Sequence, residues 1–312
     1  MPSLVRLSFE AEVVAVLTNP ESQKGRGLGA SATPVAEAAA SIFQGAVPVL
    51  TFDRLGAEAR EAIAALAPDL LVSYAYGRIF GPKFLGLFPK GGINVHPSLL
   101  PRWRGPTPIP EAILRRDRET GVTVQRLALG IDEGDILAVE RIPLRGRETT
   151  EDLAEMAALI GADLVSGVVA DIAAGREKAV PQTGPVLYCG MLRKEDGQID
   201  WNEPVMDIDA RVRAYFPWPG AYTWFKGQRL SILEIVAYEG MTYAAPAGLD
   251  WDEAPPGTVL GLDKSLGLVV QGTDGLVALR RLQLQHKKAL GWKEFANGVR
   301  DLPGARLGAI SS

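Results

Sequence analysis

The chain has 312 residues, long for one compact domain and comfortable for two, each able to bury its own core. Its composition is that of an ordinary globular protein, 47% hydrophobic and 22% charged, and a net charge of -4 gives the whole chain no global attraction for nucleic acid. Cys189 is the only cysteine and His96 and His286 the only histidines, which excludes an intramolecular disulfide and leaves no metal site expected.

Taken in chain order, the apolar run Val13 to Thr18, ended by Asn19-Pro20, predicts a buried strand and a turn. Glu21 to Thr33 is rich in Gly, Ser, Lys and Arg without periodicity and predicts an open loop. Pro34 starts an alanine-rich helix to about Phe43, with proline at its first position. Val47 to Leu50 reads as a short strand, Glu58 to Leu66 as a helix and Asp69 to Tyr74 as another buried strand. Pro82 to Leu87 predicts a short helix, and Gly92 to His96 a strand whose last residues are polar. Ile109 to Arg116 is helical, Gly121 to Leu127 an alternating strand and Asp135 to Ile142 a further strand. Thr150 is expected to cap a long helix that Gly175 ends. Such alternation predicts an α/β layer fold with a mostly parallel sheet. No apolar run is read as approaching the ~20 residues of a membrane span, and the N-terminus has no charged-then-apolar leader, so a cytoplasmic enzyme with no membrane partner is expected.

The pattern changes after Gly175. Arg176 to Glu195 carries little periodicity and reads as a linker or wrapping segment. A helix at Pro204 to Tyr215 is followed by short runs at strand spacing, Gly220 to Phe225, Arg229 to Val236, Gly257 to Leu262, Gly267 to Gln271 and Leu276 to Leu284. Punctuated by Gly, Pro, Asp and Lys, they predict a small β-barrel, closed by a helix at Trp292 to Val299. The expected division is a catalytic domain at 1–178, a linker at 179–198 and a barrel domain at 199–312.

Polar residues at the end of a strand in an open α/β sheet are where ligands are usually met. Alternation puts Asn94 and His96 on one face, where an amide and an imidazole can hydrogen-bond an oxygen that becomes negative during acyl transfer. Asp132, in the glycine-rich acidic turn Gly130 to Asp135, can hold the imidazole charged and oriented. Taken singly, a histidine near a strand end is more often structural, and an acidic glycine-rich turn is most often only a turn.

The surrounding residues are more specific. Asn94 to Gly105 reads NVHPSLLPRWRG and closely resembles the signature of the folate-dependent formyltransferases. The resemblance implies a Rossmann-like N-terminal domain, 10-formyltetrahydrofolate as co-substrate, no metal, and Asn94, His96 and Asp132 as catalytic residues. It places Ser98, Leu99, Leu100 and Pro101 in the folate-side loop, with the backbone of Tyr76 to Phe80, including Arg78, Ile79 and Phe80, at the pterin ring and Leu129 to Asp132, including Ile131, on the other side. Ordinary core packing is the competing reading, strongest for Leu99 and Leu100.

Similarity to the branch of the family that formylates initiator methionyl-tRNA runs through nearly the whole chain, including Lys194 to Trp201, Pro217 to Tyr222 and Leu302 to Gly304. It implies a C-terminal OB-like barrel that holds tRNA, initiator methionyl-tRNA as partner and a monomer. It also implies a basic N-terminal loop that enters the acceptor stem, here Gln23 to Gly27 with Lys24 and Arg26, Arg26 matching the residue that probes the stem end. Lys287 and Lys288 read as ordinary surface. An amino-sugar nucleotide as acceptor, a non-catalytic folate-binding relative and simple hydrolysis remain open alternatives. Relatives normally open with a strand and a glycine-rich loop, whereas this chain begins at Met1-Pro2-Ser3-Leu4 as though the first strand of the sheet were missing. A start assigned too late or a shortened chain is the expectation.

Overall fold

The computed structural model describes residues 1–24, 29–241, 254–299 and 301–308, with the backbone alone for 22–24 and 29–30. Two compact units form: residues 1–108, 119–143 and 154–190 make the first, and residues 109–118, 144–153 and 191–312 the second.

The first unit opens with α1 (Pro2–Glu10) and β1 (Val16–Thr18), then the short antiparallel pair β2 (Ser22–Lys24) and β3 (Gly29–Ser31) where an unstructured loop is predicted. In α2 (Pro34–Phe43), Thr33 is the N-cap, its hydroxyl accepting from the Ala36 N–H at 3.1 Å. Next along the chain come β4 (Val49–Thr51), α3 (Ala57–Ala64), β5 (Leu71–Tyr74), α4 (Pro82–Leu85), β6 (Gly92–His96), α5 (Pro108–Leu114), β7 (Glu119–Arg126), β8 (Ile136–Pro143) and α6 (Thr150–Ala173), of which α5 after Pro108 and the first turn of α6 belong to the second unit.

The sheet is not mostly parallel. β1 pairs with β4 and β5 with β6 in parallel, but β7 runs antiparallel to both β6 and β8. The β7–β8 connection is a short turn with no room for the crossover helix that a parallel partner needs. Apart from the β2-β3 pair, the strands fall into two sheets, β1-β4 and β5-β6-β7-β8, so that β1 and β5 each keep one edge with no strand partner among the described residues. One apolar cluster serves both, with Leu17, Leu50 and Leu71 packed on Ala59, Ile63, Phe80, Phe84 and Phe88. The strand ends are also tied, Asn19 Nδ2 donating to the Tyr76 carbonyl at 3.1 Å and Arg78 Nε to Asn19 Oδ1 at 2.7 Å.

Thr149, not Thr150, caps α6. Its hydroxyl accepts from the Asp152 N–H at 3.2 Å while its own N–H donates to the Asp152 carboxylate at 2.9 Å, a reciprocal capping box. Contrary to the sequence reading, α6 is long and apolar enough to cross a bilayer, with 24 residues and a peak mean hydropathy of 1.8. Its buried positions, Ala157, Gly161, Ala162, Val165, Val168 and Ile172, nevertheless recur at helical spacing, the stripe of a helix packed on protein. Gly161 lets the helix close onto the sheet: a Cβ there would stand 2.8 Å from Val95 and 3.6 Å from Val122.

The second unit contains α7 (Val205–Ala214), then β9 (Tyr222–Phe225), β10 (Gln228–Glu239), β11 (Val259–Asp263), β12 (Gly267–Gln271), β13 (Gly275–Leu284), β14 (Leu290–Gly291) and α8 (Trp292–Gly298). The strands form a barrel-like antiparallel sheet in the order β11-β12-β13-β10-β9, with β14 also on β13. Val205, Ile208 and Val212 of α7 and Phe295 of α8 share its core with Leu230, Ile232, Leu279 and Leu282.

Candidate active site

The alternation of β6 and β7 sorts their residues by chemistry. Asn94 lies opposite Gln125 and His96 opposite Thr123, with Ser73 of β5 beside Asn94, so one face of the sheet is polar. Val95, Val122 and Val124 occupy the other face, toward α6. Thr123 organises the following loop: its hydroxyl donates to the Ser98 carbonyl at 2.7 Å and accepts from the Leu100 N–H at 3.3 Å.

His96 is 4% exposed. Its Nε2 lies 2.9 Å from the Trp103 carbonyl, which can only accept, so this nitrogen carries the hydrogen. Nδ1 then faces Asp132 Oδ2 at 3.5 Å. Burial, the largest influence, pushes the imidazole pKa below its usual 6.5, against the opposing pull of the Asp132 carboxylate and the Trp103 carbonyl. Both ring nitrogens face protein partners, while the Asn94 side chain makes no hydrogen bond to a described residue.

Asp132 sits in a turn with a φ of +53°, a left-handed conformation that costs of order 1 kcal/mol for a residue with a Cβ. Its surroundings hold it there. Oδ2 accepts from the Gly105 N–H at 2.8 Å, and Oδ1 from Gln125 Nε2 at 2.8 Å. Gly105, at φ +115°, lies so close to the Cys189 carbonyl that a Cβ would overlap it, and a Cβ on Gly134 would overlap the Arg126 carbonyl.

A strap from Val180 to Cys189 runs along this turn. Val180 and Ile136 exchange both backbone hydrogen bonds, and Arg104 is bracketed by Leu187 and Cys189. Within the strap, Gln182 Nε2 donates to the carbonyls of Asp132 and Gly134, each at 2.8 Å. The buried Arg104 guanidinium donates to Gln182 Oε1, at 2.9 Å from Nη2 and 3.2 Å from Nε, and meets Glu133 at 3.3 Å. Sequence reasoning missed Gln125 and Gln182. Alternation along Thr123, Val124 and Gln125 carries a signal for the first, but the aperiodic strap carries none for the second.

The residues expected to meet folate divide. Ile79, Leu129 and Ile131 are 73%, 70% and 56% exposed. The Arg78 guanidinium bonds Asn19 and the carbonyls of Phe52 and Asp53, and Phe80 stacks between Tyr76 and Phe84, side-chain contacts that fix the course of this backbone segment. Ser98, Leu100 and Pro101 are buried, and Leu99 packs against Gly121. Arg26 and the side chain of Lys24 lie outside the described residues, while Lys287 and Lys288 are exposed. No cluster of three His, Cys, Asp or Glu side chains suited to a metal occurs among the described residues.

A polar strand end, and a buried imidazole facing a carboxylate, on an α/β unit, are groups suited to acyl transfer. Residues 3–168 match the family model for formyl transferase and residues 191–300 that for the formyl transferase C-terminal domain, and the chain belongs to the formyl transferase family. It is similar to the methionyl-tRNA formyltransferase of Treponema denticola, 42% identical over 96% of this chain and 94% of that one. The methionyl-tRNA formyltransferase of Geotalea daltonii is 37% identical over 98% and 94%. Among solved structures, WlaRD, a sugar 3N-formyl transferase in the presence of dTDP and 5-N-formyl-THF, matches with a TM-score of 0.62 at 17% identity over 92% of this chain and 94% of that one. HypX from Aquifex aeolicus, in complex with tetrahydrofolic acid, matches with a TM-score of 0.63 at 16% identity, over 94% of this chain. The chain spans about half of HypX, 48% of its length.

Proposed function

We propose that this chain formylates the free amino group of initiator methionyl-tRNA, acting as a cytoplasmic monomer at the start of protein synthesis. The observation that carries the reading is similarity to methionyl-tRNA formyltransferases through both domains, 42% identity over 96% of the chain. Asn94, His96 and Asp132 are the catalytic residues of this reading, Ile79, Leu129 and Ile131 flank the pterin, and Arg26 and Lys24 meet the acceptor stem.

10-Formyltetrahydrofolate supplies the formyl carbon that the acceptor amine attacks. Asn94 donates its amide N–H to the oxygen that becomes negative in the tetrahedral intermediate. His96 and Asp132 take up the proton that the amine loses. With Nε2–H held by the Trp103 carbonyl, the imidazole accepts that proton on Nδ1, toward the carboxylate, so the imidazolium has a partner at each nitrogen. The pair then gives the proton to the departing folate nitrogen.

Formyl transfer to charged initiator tRNA, compared with transfer to amino-sugar nucleotides and with acceptor-free hydrolysis, tests the assignment; turnover confined to a sugar acceptor or to water sinks it. Asp132→Asn is expected to cut kcat by about 100-fold or more with formylfolate affinity unchanged. Near-normal turnover would remove Asp132 from the reaction.

A further inference from the structure

We propose that Gln182 is a positioning residue for Asp132, fixing the backbone of the catalytic turn from the strap fifty residues further along the chain. This rests on the assignment of Asp132 to the proton-handling pair. The carboxylate of Asp132 is held by Gly105 and Gln125, which leaves the main chain to be held by something else. Gln182 does this. Its amide nitrogen donates to the carbonyls of Asp132 and Gly134, on either side of Glu133, and lies 3.4 Å from Gln125 Oε1. Its oxygen faces the Arg104 guanidinium, so the orientation of the amide is fixed: carbonyls need the N–H end and the guanidinium needs the oxygen.

The strap has no freedom to carry Gln182 away. Val180 is laddered to Ile136 by bonds of 2.8 and 2.9 Å on one side. On the other, Leu187 and Cys189 bond the backbone of Pro101 and Arg104 at 2.8 to 3.2 Å. Arg104 closes the circuit, since it also pairs with Glu133 of the same turn. A residue at φ +53° keeps that conformation only while its surroundings over-determine it. Loss of the two carbonyl bonds lets the turn relax and draws the carboxylate off the His96 Nδ1 direction.

The discriminating variant is Gln182→Glu, which keeps the shape and an oxygen for Arg104 but turns a second oxygen toward the two carbonyls. Gln182→Met, uncharged and of similar length, is the companion should the first fail to fold by circular dichroism. Two readouts are taken on the folded protein: steady-state formylation of charged initiator tRNA, and NMR titration of His96 without substrates, simplified by the chain having only two histidines. Expected are a kcat lower by about 10- to 100-fold with the KM for formylfolate changed less than about threefold. In the uncharged Gln182→Met the His96 midpoint should move to lower pH, because the carboxylate that favours the imidazolium has been displaced and no new charge replaces it. In an Asp132→Asn background the same substitution should change neither readout further. Wild-type kcat and His96 midpoint in folded Gln182→Glu or Gln182→Met overturn the proposal, and so does an effect that persists undiminished without the Asp132 carboxylate. Failure of the wild-type chain to formylate tRNA would instead overturn the assigned activity, and the substrate-free titration would still decide the role of Gln182.

Discussion

His96 shows how burial sets both chemistry and stability at one residue. In the unfolded chain the imidazole titrates near 6.5, and in the folded chain burial holds its pKa lower, so between the two values the unfolded state binds more protons. Stability from this group is full above about 6.5 and is lost as pH falls through that value toward the depressed folded pKa. Urea unfolding across pH 5 to 8 should show this loss for the wild type and a shallower one for His96→Asn; equal slopes would count against burial as the cause. Asn94 and His96 were legible as a pair because a period of two places them on one face, and the same rule reaches Thr123 and Gln125. The open state of Asn94 and the engagement of both His96 nitrogens were not legible. They depend on where the Trp103 carbonyl falls, which is a property of the loop and not of its composition.

Elements whose cause is local were read closely from the chain. The Pro34 helix starts and stops where the proline and its threonine cap dictate, and β6 occupies Gly92–His96 as predicted. Errors arose where partners are distant. The 127–135 connection is too short for a crossover, which makes β8 antiparallel to β7, whereas β7 is antiparallel to β6 although the 97–118 connection contains a helix, against the expectation of a mostly parallel sheet. The cap of α6 was misplaced by one residue because adjacent threonines look alike until Asp152 selects Thr149. Thr149→Ala should destabilise by about 1 kcal/mol, measured by denaturant unfolding, whereas Thr150→Ala, which loses a hydroxyl bond to the Ala214 carbonyl, leaves the cap intact. Equal losses confined to the cap readout, the helical signal at the first turn, would contradict this division.

For the whole molecule, charge limits how tRNA can be captured. A net charge of -4 and a loop that continues Leu28-Gly29 after Arg26 supply few cations for phosphate. Binding of initiator tRNA should therefore weaken only gently with salt, and a steep log–log slope, near that of about six or more neutralised phosphates, would contradict the reading.

The division of the first unit's strands into two sheets also bears on how that unit opens. Backbone amides on the unpartnered sides of β1 and β5 have no ladder to shield them, so native-state hydrogen exchange should be fast there and slow at the centre of β6 and β7. Across the seam, the two leaflets are joined by the phenylalanine cluster and by Asn19 bridging to Tyr76 and Arg78. Parting the leaflets thus frees the segment bearing Ile79 before it disturbs the polar face that bears Asn94 and His96. Thermal breathing along the seam would loosen the segment that carries Ile79 while β6 and β7 stay paired.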